Sequence, residues 1–143
     1  MDDRPALGLL VDREAVRDLL HAYARAVDGK DLAAVAACFT ADCAYEGTLG
    51  RGTIADALAS LEGAFARYDR TMHCMSTQLV EIDGDAARAE TYCVAHHVRP
   101  DGGHFATGVR YLDALVRTRA GWRIRQRCVR TEWTRPDAPE PRR

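Results

Sequence analysis

The feature that most constrains this chain is the succession of long strand-like segments in its second half, each closed by a tight-turn sequence. Residues 71–82 run into Asp83-Gly84, a dipeptide strongly favoured in two-residue hairpins. A second segment runs from 86 to about 98 and stops at Pro100-Asp101-Gly102-Gly103. A third runs from about 105 to 118 and stops at Arg119-Ala120-Gly121, and a fourth runs from 122 to about 133. Strands this long, joined by such short turns, lie side by side as an antiparallel meander and must bend strongly.

The first half carries the helical period instead. Over residues 12–27 the apolar positions Val16, Leu19, Leu20, Tyr23 and Val27 fall on one face, with Asp12 as the expected N-cap, Glu14 in the first turn and Gly29 as the stop. A short second helix follows Asp31, with Leu32, Val35, Ala36 and Phe39 as its buried stripe. Residues 44–47 suit a short strand and 50–52 a turn. Thr53 then caps a third helix, with Asp56 in capping-box position and Ile54, Leu58, Leu61 and Phe65 as its stripe. Three helices followed by a meander predict an α+β architecture with the helices packed on one face of a curved antiparallel sheet. The length of 143 residues suits one domain, residues 1–135, and the Pro- and charge-rich stretch 136–143 is expected to be a mobile tail.

Composition narrows the function class. Apolar residues make up 47% of the chain, enough for a core without disulfides or metal. The 20 basic and 21 acidic residues leave a net charge of −1, which argues against nucleic acid or an anionic membrane as the main partner. No apolar run approaches the roughly 20 residues of a membrane span, and the N-terminal residues lack the pattern of a signal peptide, so a cytoplasmic location is expected. Cys38, Cys43, Cys74, Cys93 and Cys128 are odd in number, irregularly spaced and form no CxxC, which reads as free, mostly buried thiols. Ligand spacing for a metal, a phosphate-binding glycine loop and a nucleophile elbow are all missing from the sequence, and no cofactor is expected.

Several residues could carry chemistry. Strict alternation along the last strand places Trp122, Ile124, Gln126, Cys128 and Arg130 on the core face. Arg123, Arg125 and Arg127 fall on the solvated face, with no catalytic role assigned. A core-facing Arg130 needs an anionic partner such as Glu132 or Asp28, or a substrate; a bulge would reverse the assignment. Asp28 closes the first helix at the negative end of its dipole, where ionisation needs a compensating partner. His73 sits among apolar neighbours at the start of the first long strand. A lone histidine there is more often a satisfied core residue, but paired with a carboxylate it is a competent base near neutral pH. Tyr23 and Tyr45 are ordinary core aromatics or phenol donors. Of the adjacent His96 and His97, pleating sends one inward, and the buried-looking face of Ala87, Ala89, Cys93 and Ala95 favours His97.

Together, Tyr23-x4-Asp28-Gly29-Lys30-Asp31-Leu32, residues 39–45 (Phe-Thr-Ala-Asp-Cys-Ala-Tyr), Met72-His73, Arg110-Tyr111-Leu112-Asp113 and Gly121-Trp122-Arg123-Ile124 resemble the nuclear transport factor 2-like fold of the SnoaL-like group. The resemblance implies a cone-shaped α+β barrel. Within the group, the chain is similar to hexachlorocyclohexane dehydrochlorinase at Asp28 and His73. It is similar to scytalone dehydratase at Asp28, Tyr45, His73 and His96, and to bile-acid 7α-dehydratase at Tyr23, Asp28, His73 and Arg130. It departs from scytalone dehydratase at Val109 and Tyr111, where that enzyme has polar residues. The alignment takes His96, against the parity argument, as the inward histidine; a bulge would reconcile the two.

The resemblance implies a cofactor-independent lyase of dehydratase type, acting on a small hydrophobic cyclic or polyketide-like molecule. His73 would be the base and Asp28 its orienter, with Tyr23 and Arg130 as further catalytic groups. Tyr45, His96, Tyr111 and Cys128 would contact the substrate. An isomerase or cyclase would share the first proton transfer. A non-catalytic binding module would instead show a filled pocket, or Asp28 turned to solvent. A homo-oligomer, dimer or trimer, is also implied.

Overall fold

A computed structural model of the chain describes residues 4–136. The elements are α1 (Arg4–Asp28), α2 (Leu32–Ala36), β1 (Phe39–Gly47), β2 (Gly50–Thr53), α3 (Ile54–Arg67), β3 (Arg70–Asp83), β4 (Ala86–Val98), β5 (His104–Thr118) and β6 (Gly121–Arg135). The expected tail, apart from Pro136, lies outside the described residues.

Strands β3 to β6 form the expected antiparallel meander, in the sheet order β2-β1-β6-β5-β4-β3. The sheet is mixed rather than wholly antiparallel, because β1 runs parallel to β6. Residues 50–52, expected as a turn, extend instead as part of β2 and pair with β1. β1 itself starts at Phe39, opposite Ile124, five residues before the expected strand.

The helices cover one face of the sheet. Val16, Leu20, Tyr23 and Val27 of α1, Val35 of α2, and Ile54, Ala57 and Leu61 of α3 meet Phe39, Tyr45, Val80, Ala87, Ala89, Cys93, Tyr111, Leu115, Trp122 and Ile124 in one core. Thr53 caps α3 as expected: its hydroxyl accepts from the Asp56 backbone N–H, and the Asp56 carboxylate accepts from the Thr53 N–H. Helix α1 starts at Arg4, so Asp12 is not its N-cap. Asp12 instead accepts from both terminal guanidinium nitrogens of Arg117 at 2.8 Å and from the Trp122 indole N–H at 3.3 Å, which ties mid-helix to the β5–β6 hairpin.

Bulges bend the meander and decide which side chains face inward. In β3 the register shifts between Met75 and Gln78, leaving His73, Met75 and Val80 all on the helix side. In β6, Leu115 pairs with Ile124 but Ala114 pairs with Gln126, so Arg125 is the extra residue. One extra residue flips every side chain beyond it to the other face. The expected facing of β6 is therefore corrected from Gln126 onward. Arg130 is exposed and Cys128 lies on the outer face beside Leu79 and Arg88, whereas Arg127 is 1% exposed inside the core. β4 contains no such shift, so simple alternation holds there. His97 faces the helices, and His96 turns outward against His104, with a ring nitrogen separation of 3.0 Å.

Candidate active site

The C-terminus of α1 meets the start of β3, and this junction joins the two residues singled out from sequence. Asp28 Oδ1 lies 2.7 Å from His73 Nδ1 and accepts from the Thr71 hydroxyl at 2.9 Å. Asp28 Oδ2 accepts the His73 backbone N–H at 2.9 Å. Burial pushes the Asp28 pKa up. The hydrogen bonds from the His73 ring and backbone, with that of Thr71, outweigh burial, so the net pKa is lowered. The carboxylate is thereby held ionised where an unpartnered acid would resist charge. With Nδ1–H committed to Asp28, Nε2 is the nitrogen left to exchange a proton with a ligand. His73 is 9% exposed and lines a cavity of about 100 Å³.

The cavity wall has two characters. Val27, Leu49, Leu61, Ala64 and Phe65 are apolar, while Tyr23, Tyr45, Thr48, Thr71 and Tyr111 bring hydroxyls. Burial pushes the Tyr23 phenol up to about 12 and raises that of Tyr111 well above the ordinary phenol value, so both remain protonated donors at neutral pH. His97 completes the wall. Its ring stacks on Phe105 at 4.3 Å, rests 4.9 Å from Tyr68 and turns an edge toward His73 at 6.1 Å. Burial, and then the proximity of His73, lowers the His97 pKa to about 4, which keeps it neutral. Its Nδ1 is buried without a hydrogen-bond partner.

Of the other residues expected at the site, Tyr23, Tyr45 and Tyr111 reach the cavity. His96, Cys128 and Arg130 do not: His96 is replaced there by its neighbour His97, and the Arg125 bulge turns Cys128 and Arg130 away. The sequence reading missed Arg127. Both of its side-chain contacts to Asp113 are 2.8 Å, and its guanidinium lies 4.2 Å from the Tyr23 ring centre and 4.4 Å from that of Tyr111. A full ion pair therefore sits directly behind two cavity phenols. An acid at position 113, in a strand whose neighbours Tyr111 and Leu115 point inward, was the available signal for a buried basic partner. Buried thiols at Cys43, pushed up to about 11, and at Cys93, pushed up to about 12, stay protonated and inert.

The cavity's rim carries a backbone anomaly. Lys30 N–H donates to Val27 O and Asp31 N–H to Ala26 O, which together close α1 in a Schellman motif. Glycine usually takes the left-handed position of this motif, but here Lys30 holds it at φ 55°, at a cost of about 1–2 kcal/mol. Gly29, the expected stop, sits one residue too early to take that role.

This arrangement can orient an imidazole, accept a proton at Nε2 and supply phenol donors to an oxygen on an apolar ligand. Known structures show the same architecture. The chain matches a structure from Novosphingobium aromaticivorans provisionally named an aromatic ring hydroxylase, at 27% identity and TM-score 0.83, over 90% of this chain and 94% of that one. It matches a second structure from that organism, provisionally named a scytalone dehydratase, at 22% identity and TM-score 0.80, over 92% and 91%. It also matches the hexachlorocyclohexane dehydrochlorinase LinA-type3 of Novosphingobium barchaimii LL02 at 17% identity and TM-score 0.81, over 93% and 94%. No curated protein sequence gives a significant match. The SnoaL-like domain family matches residues 9–128. On that match, which spans most of the chain, the protein belongs to the SnoaL-like domain family.

Proposed function

We propose that the protein is a cofactor-independent lyase of dehydratase type, acting on a small, largely apolar cyclic molecule. The observation that carries this reading is the Asp28–His73 pair, 2.7 Å apart, on the wall of a cavity otherwise lined by apolar groups and hydroxyls. In this reading His73 Nε2 removes a proton from carbon next to an activating carbonyl. Asp28 fixes the tautomer and stabilises the imidazolium that forms. A cavity phenol, Tyr23, Tyr45 or Tyr111, donates to the oxygen on which charge develops or to the departing hydroxyl. The fold shared with a dehydrochlorinase and with a protein provisionally named a scytalone dehydratase supports an elimination.

The test offers cyclic β-hydroxy ketones and acids in deuterated water and follows two signals: deuterium entering the α-carbon, and loss of the mass of one water. Dehydration requires the loss of water; deuterium in unreacted substrate reports proton removal that reverses before the hydroxyl departs. Deuterium uptake with no mass loss would make the protein an isomerase or cyclase that uses the same base. His73→Ala and Asp28→Asn should each lower turnover about 10²–10⁴-fold. Full turnover in both variants would overturn the mechanism.

A further inference from the structure

Resting on this reading of the cavity, we propose that Lys30 determines substrate class: the molecule bound beside His73 carries a carboxylate, held at the rim by the Lys30 ammonium. Among the described residues, Lys30 is the only lysine or arginine lining the cavity. It donates one hydrogen bond, to the Tyr68 carbonyl at 2.7 Å, which leaves the ammonium with donors to spare. No carboxylate pairs with it among the described residues. The nearby acid, Asp28, already accepts from Thr71, the His73 backbone and the His73 ring. The exposed ammonium at the rim thus has no carboxylate partner among the described residues, while the carboxylate of Asp28 is fully engaged.

The backbone gives the second, independent observation. Lys30 occupies a left-handed position that glycine fills without strain, although the chain places a glycine just one residue earlier. Strained positions persist only where surrounding contacts hold them, and they cluster at active sites and ligand clamps. Here the strain aims a lysine across the rim toward Tyr68, at the end of α3. The floor of the cavity is apolar and hydroxyl-bearing, so the ligand that satisfies every group is a ring compound with oxygen toward the phenols and a carboxylate toward Lys30.

Binding alone tests this, without turnover. The probes are benzoate and cyclohex-1-ene-1-carboxylate, each against its uncharged carboxamide, followed by NMR shifts of the isotope-labelled protein. The wild-type protein should bind each acid about fivefold or more tightly than its amide, with shifts at Leu49, Phe65 and Tyr68, and salt should narrow the gap. Lys30→Met and Lys30→Gly should bind acid and amide equally, and Lys30→Arg should keep part of the preference. The glycine variant also relieves the backbone, so loss of preference in a protein at least as stable as wild type cannot be put down to misfolding. His73→Ala should keep the preference even with catalysis gone, which separates this inference from the proposed lyase activity. Persistence of the preference in Lys30→Met, its loss in His73→Ala, equal binding of acid and amide by the wild type, or no binding of either up to about 10 mM would each overturn it.

Discussion

At the scale of single residues, environment rather than residue type sets the chemistry. Asp28 stands at the negative end of a helix and remains ionised because three donors converge on it. Its contribution to stability is present above the ordinary carboxylate range and is lost as the pH falls through its lowered value. His97 acts at higher pH. An unfolded chain protonates position 97 from about pH 6.5 downward, whereas the folded protein waits until about 4. Between those values the unfolded state holds more protons, so stability falls as pH falls. Thermal unfolding followed from pH 7 to 4 should show a shallower loss in His97→Leu than in wild type. Arg127 is the costlier residue to disturb. Removing its partner with Asp113→Asn leaves a buried guanidinium uncompensated, and denaturant titration should show a loss of about 3–5 kcal/mol. Replacing both partners with apolar residues should cost less than that single change. Asp28 and His73 were legible in the sequence as a candidate pair; Arg127 was not, because its facing depends on one unpaired residue two positions earlier.

At the scale of elements, some caps and hairpins were readable locally, the Asp12 cap and the 50–52 turn were not, and neither was the facing of β6 beyond its bulge. The Thr53–Asp56 capping box and the β3–β4 hairpin, whose loop is Gly84-Asp85 rather than Asp83-Gly84, involve groups within a few residues of one another, so local chemistry decides them. Thr53→Ala should cost about 1 kcal/mol in denaturant titration. The start of α1 was misread because Asp12 looks like a cap, yet its partners Arg117 and Trp122 lie more than a hundred residues away. The β6 bulge at Arg125 is a mismatch between two strands, visible only once β5 lies beside β6. Farther along the same pair, Trp133 lies flat over Gly108, where an added Cβ would come within 2.2 Å of the indole. Gly108→Val should displace that ring, and the change should register in Trp fluorescence and in a lower melting temperature.

At the scale of the whole molecule, one face of the sheet meets the helices and, among the described residues, no helix covers the other. That other face shows Met72, Leu79, Tyr92 and Trp133, each at least 40% exposed, around Arg110, which pairs with Glu90 and Glu132. The expected dimer or trimer would cover this face with a second copy. Sedimentation should then report an oligomer that Leu79→Asp weakens, and a wild-type monomer at working concentration would end that expectation. The sequence by itself determined the α+β order, the meander, the Asp31 and Thr53 caps and the residue types able to make an acid/base pair, because periodicity and capping act over short stretches of chain. Only the tertiary structure decided that β1 joins β6 in parallel, that the unbroken β4 register turns His97 rather than His96 inward, and that Arg127 rather than Arg130 faces the core. Each of those depends on register or contact between segments far apart in the chain, and one extra residue in a strand reverses every facing beyond it.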